Sequence, residues 1–401
     1  MPDDQSAGVK KAQGFATRMS HGGRAGTKIK GFVNPPVHRG STMLHEDVAD
    51  RMARSKAKFE QGQAYGVHGN ATHHALEDVV AEVEGGTRCQ IVSSGLAAVT
   101  VALLAYAKAG DHILMPDSVY GPARNFCIGM LAGLGVETTF YDPAIAPEAA
   151  AGLFRANTTV LYVESPGSHT FEVQDVPGLA ALAHAKGAKV LMDNTWGIHF
   201  FQPFAHGVDA SIQALTKYVV GHSDVLLGSI TVADPLEWER VRGAALALGQ
   251  YASPDDCWLA LRGVRTMAVR LERQMRSGLE VAAWFASRPE VRSVLHPGLP
   301  GAPGHELWKR DFSGACSLFG VEFQPEFTPE DTHRLIDALT LFGIGASWGG
   351  FESLALPTTG NLTRTAGSGT FRGPVCRFHI GLEEPADLIA DLAQGMEALK
   401  G

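Results

Sequence analysis

A chain of 401 residues is long enough for two domains, or for one large domain with a smaller companion. With 45% apolar and 19% charged residues it has the composition of a globular enzyme, which excludes a fibrous or wholly disordered protein. Its net charge of -8, from 34 Lys+Arg against 42 Asp+Glu, offers no general attraction to nucleic acid or to an anionic membrane, so the expected partner is a small molecule.

The five cysteines are odd in number, scattered and without CxxC spacing, so neither a disulfide framework nor a zinc site is expected and they read as reduced thiols. The N-terminal stretch lacks the continuous apolar core of a secretory signal. The longest uncharged apolar run, Gly95 to Ala107, is too short to span a bilayer, which makes a cytoplasmic protein the expectation.

Residues 1–60 are rich in Gly, Pro and charge and read as an arm with one short helix near Leu44 to Phe59. Such a segment cannot bury a core alone and must pack on something, which in an oligomer includes another subunit. Within it, NPPVHRGST (Asn34 to Thr42) is held extended by its two prolines.

An α/β domain is expected over residues 61–253. Thr72 precedes the apolar-periodic run Ala75, Leu76, Val79, Val80 and Val83, a helix stopped by Gly85 and Gly86. His68, His73 and His74 lack the i, i+4 pairing of a helical zinc site, and HExxH is absent. CQIVSSGLAAVTVALLAYAKAGD reads as a strand, a Ser-Ser-Gly turn and a helix ending near Gly110. The backbone N–H groups of Gly95 and Leu96 at that helix start form an anion site suited to phosphate. GxGxxG and GKT motifs, which would specify a nucleotide, are absent.

Alternation then continues. HILMPDSVYG is a strand followed by a loop with Tyr120, a helix reaches Gly135, and VETTFYDP and TTVLYVESPGS are further strands; a helix from Val176 to Lys186 leads into KVLMDNT. Repeated βαβ units predict a doubly wound, mostly parallel sheet with helices on both faces. DVLLGSITVAD follows without an intervening helix and is expected to pair antiparallel.

Two apolar runs in this region end in charge, one at Asp193 and one at Lys217. Both residues are expected at strand carboxyl ends, where open sheets place their ligand crevice. A lysine amine can form a Schiff base with pyridoxal phosphate, and an aspartate can hold the pyridine nitrogen protonated. Taken alone, the pair is equally compatible with solvated strand ends.

From residue 254 to 401 a smaller α+β domain is expected, opening with the long helical run CWLALRGVRTMAVRLERQMRSGLEVAAWFAS and carrying strands in CSLFGVEF, SWGGFESLALP and VCRFHIGLE. In the last of these, alternation puts Val375, Arg377 and His379 on one face and Cys376, Phe378 and Ile380 on the other. With the second set in the core, Arg377 faces a cleft or water, and its planar fork suits a substrate carboxylate.

ASIQALTKYVVGHSD and LMDNTW together give the chain a resemblance, over nearly its whole length, to the Cys/Met-metabolism group of fold-type I pyridoxal-phosphate enzymes. Three stretches resemble its β-lyase branch more than its γ-acting members: NPPVHRGST, VESPGSHTFEVQDVP in place of an SPTNP-type loop, and SWGGFESL with Trp348 where γ-acting relatives commonly have leucine. The resemblance implies pyridoxal 5'-phosphate as cofactor, with Lys217 as Schiff-base lysine and proton carrier, Asp193 as partner of the pyridine nitrogen and Tyr120 stacked on the ring. It further implies that Gly95, Leu96 and Thr216 hold the phosphate, that Tyr65 reaches it from a neighbouring subunit, and that Arg377, with Ser347 and the turn around Trp348, takes the substrate α-carboxylate. The implied assembly is a homotetramer of dimers that share active sites.

The implied reaction is β-elimination of cystathionine to homocysteine, pyruvate and ammonia, a step of transsulfuration. The alternatives are a γ-acting lyase or synthase and a cysteine desulfhydrase; a nicotinamide-binding or non-catalytic Rossmann-like protein is disfavoured by the missing glycine fingerprint. One departure stands out. The family's usual Y-x-R element, whose arginine grips the phosphate, has Val67 in its third position here, and His68 or Arg39 are the candidates to compensate.

Overall fold

The protein is described by a computed structural model covering residues 13–24, 32–367 and 371–399. Its larger sheet has seven strands: β1 (Arg88–Val92), β2 (His112–Pro116), β3 (Glu137–Tyr141), β4 (Thr158–Glu164), β5 (Lys189–Asp193), β6 (Ala210–Gln213) and β7 (Gly228–Val232). They lie in the order β1-β7-β6-β5-β4-β2-β3. Strands β3, β2, β4, β5 and β6 are mutually parallel, while β7 runs antiparallel to both β6 and β1.

Both faces of this sheet are buried, which is why its strands read as continuous apolar runs. Leu161, Val163, Val190 and Met192 belong to one hydrophobic cluster, while their alternating neighbours Val160, Tyr162 and Leu191 belong to another on the opposite face. Each such side chain contributes about 1.5–3 kcal/mol on burial.

The helix Ala71–Glu84 starts differently from the expectation at Thr72. Asn70 is the cap: its side chain accepts from Thr72 N at 3.0 Å, and its own N–H donates to His73 Nδ1 at 3.3 Å, a reciprocal capping box. Thr72 is used instead to tie down the arm, its hydroxyl donating to Pro36 O and accepting from His38 N. His73 Nε2 lies 2.8 Å from Ala252 O. Among the described residues no His/Cys/Asp/Glu group is arranged to hold a metal ion.

Among the described residues the arm carries two α-helices rather than the single helix expected. Phe15–His21 buries Met19 in the core, and Arg265 fastens it by donating to Met19 O and Gly22 O. Val48–Lys56 is capped by Asp47 and has no buried residue. The helix after β1 ends at Tyr106, short of the expected Gly110. Lys217 also departs from expectation: β6 stops at Gln213, and the lysine sits beyond it in a turn closed by Val220 N donating to Leu215 O and Gly221 N to Lys217 O.

The 33-residue helix Pro254–Ala286, capped by Ser253, leads to a second sheet of β8 (Val291–Leu295), β9 (Leu318–Phe323), β10 (Leu354–Pro357) and β11 (Val375–His379). Its order is β10-β11-β9-β8, and every pairing is antiparallel. Strand β8 was not expected from the sequence, and β10 occupies only the end of SWGGFESLALP, leaving Ser347–Gly350 as a loop. Cys376, Phe378 and Ile380 pack in the apolar cluster with Phe285 and Phe319, as alternation predicts. Arg377 and His379 on the other face are buried too, at 8% and 0% exposure. Among the described residues no helix is long and apolar enough to cross a membrane, and all five cysteines are free and buried.

Candidate active site

The carboxyl ends of β4 and β5 bring two acids side by side, because Glu164 and Asp193 are register partners across a parallel ladder. Asp193 is partly open to the site, but its carboxylate lies deep enough that burial pushes it above the ordinary range. The Thr195 N–H at 3.0 Å, the Thr195 hydroxyl at 2.6 Å and the Lys217 charge oppose that rise. Burial and then the Asp193 charge push Glu164 upward as well. Glu164 Oε2 accepts from Tyr120 N at 2.7 Å, and Oε1 accepts from the Ser168 hydroxyl at 2.6 Å. Tyr120 is thereby fixed by its backbone while its ring stands 41% exposed; burial and the two carboxylates push its phenol upward, so it stays protonated.

The turn that carries Lys217 is tied to Asp193 through one residue, since the Thr195 hydroxyl also accepts from Ala214 N at 2.9 Å. Ala214 in turn packs on Gly95, where an added Cβ would approach its side chain to 2.6 Å. A residue larger than glycine at position 95 would push the helix start away from the turn. Helix Gly95–Tyr106 is capped by Ser94, whose hydroxyl accepts from Ala97 N at 3.1 Å, and Gly95 at its start packs against Ala214 of the Lys217 turn. The Thr216 hydroxyl donates to Leu227 O at 3.1 Å and accepts from Leu227 N at 2.9 Å.

Lys217 Nζ donates to Ser347 Oγ at 2.7 Å and lies 5.4 Å from the centroid of the Trp348 ring. Burial, and then the charge of Arg377, push the amine down to about 8, against a smaller opposing pull from Asp193. Arg377 donates to Ser347 O at 3.0 Å. It is buried, remains cationic although burial lowers it to about 10, and makes no ion pair among the described residues. Ser347, at φ 76°, is in the left-handed region, which costs a non-glycine residue of order 1–3 kcal/mol. The loop around it has no slack: an added Cβ at Gly349, φ +84°, would meet the Lys217 backbone at 2.8 Å.

The structure therefore brings Asp193, Lys217, Tyr120, Gly95, Leu96, Thr216, Ser347, Trp348 and Arg377 into one region at the sheet edge. Tyr65 lies elsewhere, 52% exposed in a surface cavity of about 490 Å³ lined also by Arg39, Val67, Tyr251 and Asp255. A pyridine ring needs a carboxylate, a phosphate needs a helix start, an aldehyde needs an amine that sheds its proton more readily than an ordinary lysine, and this set supplies all three.

A family profile described as Cys/Met metabolism PLP-dependent enzyme matches residues 16–397. The chain belongs to that family. It is 44% identical over 369 residues to the cystathionine beta-lyase of Bordetella avium, covering 91% of this chain and 92% of that one. It is 39% identical over 385 residues to cystathionine beta-lyase MetC of Escherichia coli (strain K12), covering 94% and 97%. Among solved structures, metB from Corynebacterium glutamicum superimposes with a TM-score of 0.89 at 30% identity, covering 97% of this chain and 99% of that one. Human cystathionine gamma-lyase is also similar, at 34% identity over 404 residues, covering 96% and 94%, so the likeness reaches across more than one reaction. The fold is thus that of fold-type I pyridoxal-phosphate enzymes, and the family's cofactor is pyridoxal phosphate.

Sequence reasoning passed over several residues that hold this family site together. Glu164 ends an apolar run just as Asp193 does, and that signal was available. Glu84, fully buried behind the strand ends, accepts from Asn194 Nδ2 at 3.2 Å, from Gln213 Nε2 at 2.6 Å and from the Ser211 hydroxyl; burial pushes it up to about 8 even so. His379, pushed down to about 3 by burial, is neutral and accepts from Gly349 N at 3.1 Å, which anchors the Ser347–Gly350 loop. Nothing in the sequence marks the last two as site residues, because their partners are far away in the chain.

Proposed function

We propose that the protein is a carbon–sulfur β-lyase that cleaves L-cystathionine to homocysteine, pyruvate and ammonia. Pyridoxal phosphate, when bound, supplies an aldehyde that joins the substrate amine and a ring that disperses the charge left at Cα. Asp193 keeps a proton on the ring nitrogen, Tyr120 covers the ring face, and the Gly95 and Leu96 N–H groups with the Thr216 hydroxyl take the phosphate. Arg377 holds the substrate α-carboxylate through its unpaired fork, supported by Ser347 and the turn at Trp348. Lys217, depressed to about 8, has an appreciable free-amine fraction near neutrality and takes the Cα proton. The ammonium so formed on Nζ can return that proton to the departing sulfur.

The observation that carries the β reading is the tether on Lys217. Its amine is held by Ser347 Oγ at 2.7 Å beside the Trp348 ring. β-Elimination needs one proton removed, at Cα; γ-elimination also needs removal at Cβ, and so a longer excursion of the same amine. Cystathionine beta-lyases among the relatives, including those of Bordetella avium and Escherichia coli, support the same choice. We read residues 1–60 as an arm, 61–253 as the cofactor-binding domain and 254–401 as the smaller domain. Tyr65, exposed and apart from its own Lys217, is read as serving a second copy, in a homotetramer of dimers located in the cytoplasm. Side-by-side product analysis with cystathionine, cysteine and cystine tests the reading. Pyruvate and homocysteine from cystathionine are expected; α-ketobutyrate would identify a γ-lyase, and faster sulfide release from cysteine a desulfhydrase.

A further inference from the structure

The residue that follows the site lysine starts a closed circuit of contacts. Tyr218 is buried, and its phenol oxygen accepts from Ser317 N at 3.1 Å and lies 3.1 Å from Ser317 Oγ. Ser317 Oγ is also 3.3 Å from His379 Nδ1 and donates to Ile380 O at 2.6 Å. His379 Nε2 accepts from Gly349 N at 3.1 Å. Gly349 in turn lies against the Lys217 and Tyr218 backbone, where an added Cβ would come within 2.8 and 2.9 Å, so the contacts return to their start. Inside the circuit the Tyr218 ring meets Trp348 and His379 edge-on, at centroid distances of 5.5 and 5.9 Å.

Counting protons gives every link a direction. The Ser317 hydroxyl has one proton, and its shortest contact, to a carbonyl that can only accept, takes it. The Tyr218 hydroxyl and His379 Nδ1–H then both donate to Ser317 Oγ, which leaves Nε2 bare to accept from Gly349 N. The opposite tautomer would aim Nε2–H at Gly350 O, 3.3 Å away, but would set it against the Gly349 N–H. Gly350 O has no need of it, because Gln274 Nε2 donates there at 2.7 Å. A single tautomer of the uncharged imidazole therefore satisfies the whole circuit, whose three side chains are all buried.

The circuit joins the two ends of the site. Tyr218 belongs to the Lys217 turn, while His379 ends β11, two residues beyond Arg377. Gly349 lies in the loop whose Ser347 meets both Lys217 Nζ and Arg377. Ser347 keeps its left-handed φ of 76° only while that loop is pinned, and the pins are His379 at Gly349 N and Gln274 at Gly350 O.

We propose that His379 is a positioning residue: through Nε2 it sets where the substrate α-carboxylate sits relative to the Lys217 amine, and Tyr218 and Ser317 hold it in the tautomer that can do so. The inference rests on Arg377 as holder of that carboxylate and does not depend on which bond is cleaved afterwards.

The test compares L-alanine with ethylamine, the same amine without its carboxylate, in binding titrations of the holoenzyme followed by the absorbance of the bound cofactor. That signal also reports the loading of each variant. Wild type is expected to favour alanine. The two amide side chains divide the imidazole between them, since glutamine reaches the place of Nε2 and can accept from Gly349 N, whereas asparagine reaches only that of Nδ1. His379→Asn should lower the preference about tenfold, the scale of one buried hydrogen bond, and His379→Gln should retain most of it. Tyr218→Phe, which removes one oxygen and leaves imidazole and loop in place, should lower it about threefold, and it carries the test if the asparagine variant does not fold. Equal weakening of both ligands in the Asn and Phe variants would show a structural role only and overturn the proposal, as would equal losses of preference in the Asn and Gln variants. Arg377→Gln separates the two readings. If it leaves the preference intact, the arginine does not hold the carboxylate and the proposal falls with it; if it abolishes the preference while His379→Asn and Tyr218→Phe do not lower it, the arginine keeps its role and His379 loses the one assigned here.

Discussion

The two sheets serve the site in different ways. In the parallel sheet the working groups lie where strands stop: Glu164 and Asp193 end β4 and β5, Gly95 follows β1 across a short turn, and Lys217 follows β6. In the antiparallel sheet the working group is in mid-strand, since Arg377 is the central residue of β11, opposite Gly320 on β9 and Leu356 on β10. Parallel strands all point one way, so their carboxyl ends converge on a single edge, whereas antiparallel strands share no such edge and deliver a side chain from a face. In the proposed function, the cofactor half of the site is thus set by where backbone elements end, and the substrate half by one buried side chain and a strained loop.

That contrast predicts different kinetic signatures. The largest effect is expected from the strand-end half: Lys217→Ala should lower kcat on the order of a thousandfold or more, since one group both takes and returns the proton. The cofactor should still bind without the covalent link. Near-normal pyruvate release by this variant would remove the lysine from its role. Arg377→Ala should act on the other half, costing about 1.5–3 kcal/mol, or roughly 10- to 150-fold in kcat/KM, expressed mainly in KM. If KM stays put while kcat falls, the division between halves is wrong.

The same contrast explains what could be read from the sequence. KVLMDNT and TTVLYVE each end an apolar run in an acid, so strand, strand end and site residue appear together in one short stretch. Asn70 was missed as a helix cap because Thr72 looks equally suitable until the arm, at Pro36 and His38, claims its hydroxyl. β8 was missed because VRSVL is short and only half apolar, and its exposed Arg292 hides the alternation. Arg377 was legible as a face but not as a buried one: its cover comes from the Ser347 loop, thirty residues away in the chain. Motifs announced the lysine, whereas its tether to Ser347 is a property of the fold.

A third effect joins the two halves. The Lys217 amine is pushed down to about 8 by burial first and by Arg377 second. Only the free amine attacks an aldehyde, so the rate at which apoenzyme takes up pyridoxal phosphate covalently should climb with pH and level off above about 8. Arg377→Gln removes a like charge, which favours the protonated amine and should move the midpoint upward. A midpoint near that of an ordinary lysine in wild type, or no movement in the variant, would disconnect the halves.

The smallest effect is expected furthest from Lys217, at the cavity that holds Tyr65. Val67 lines it where the family resemblance leads one to expect an arginine, and neither candidate substitute is a free cation. Arg39 is bound in a fork by Asp255, with one contact of 2.8 Å, and His68 is pushed toward its neutral form by burial and by Arg242 and Lys58. The cavity therefore offers a partner's phosphate less positive charge than a Y-x-R element would. Restoring the charge with Val67→Arg should slow cofactor loss on dialysis, by about fivefold at most because the site is open to solvent. If the proposed sharing of sites holds, KM should not change, since the added charge would face the neighbouring copy's cofactor rather than its substrate. Equal loss from both proteins would mean that this surface never meets a phosphate, and Tyr65 would then lose its assigned place in a shared site.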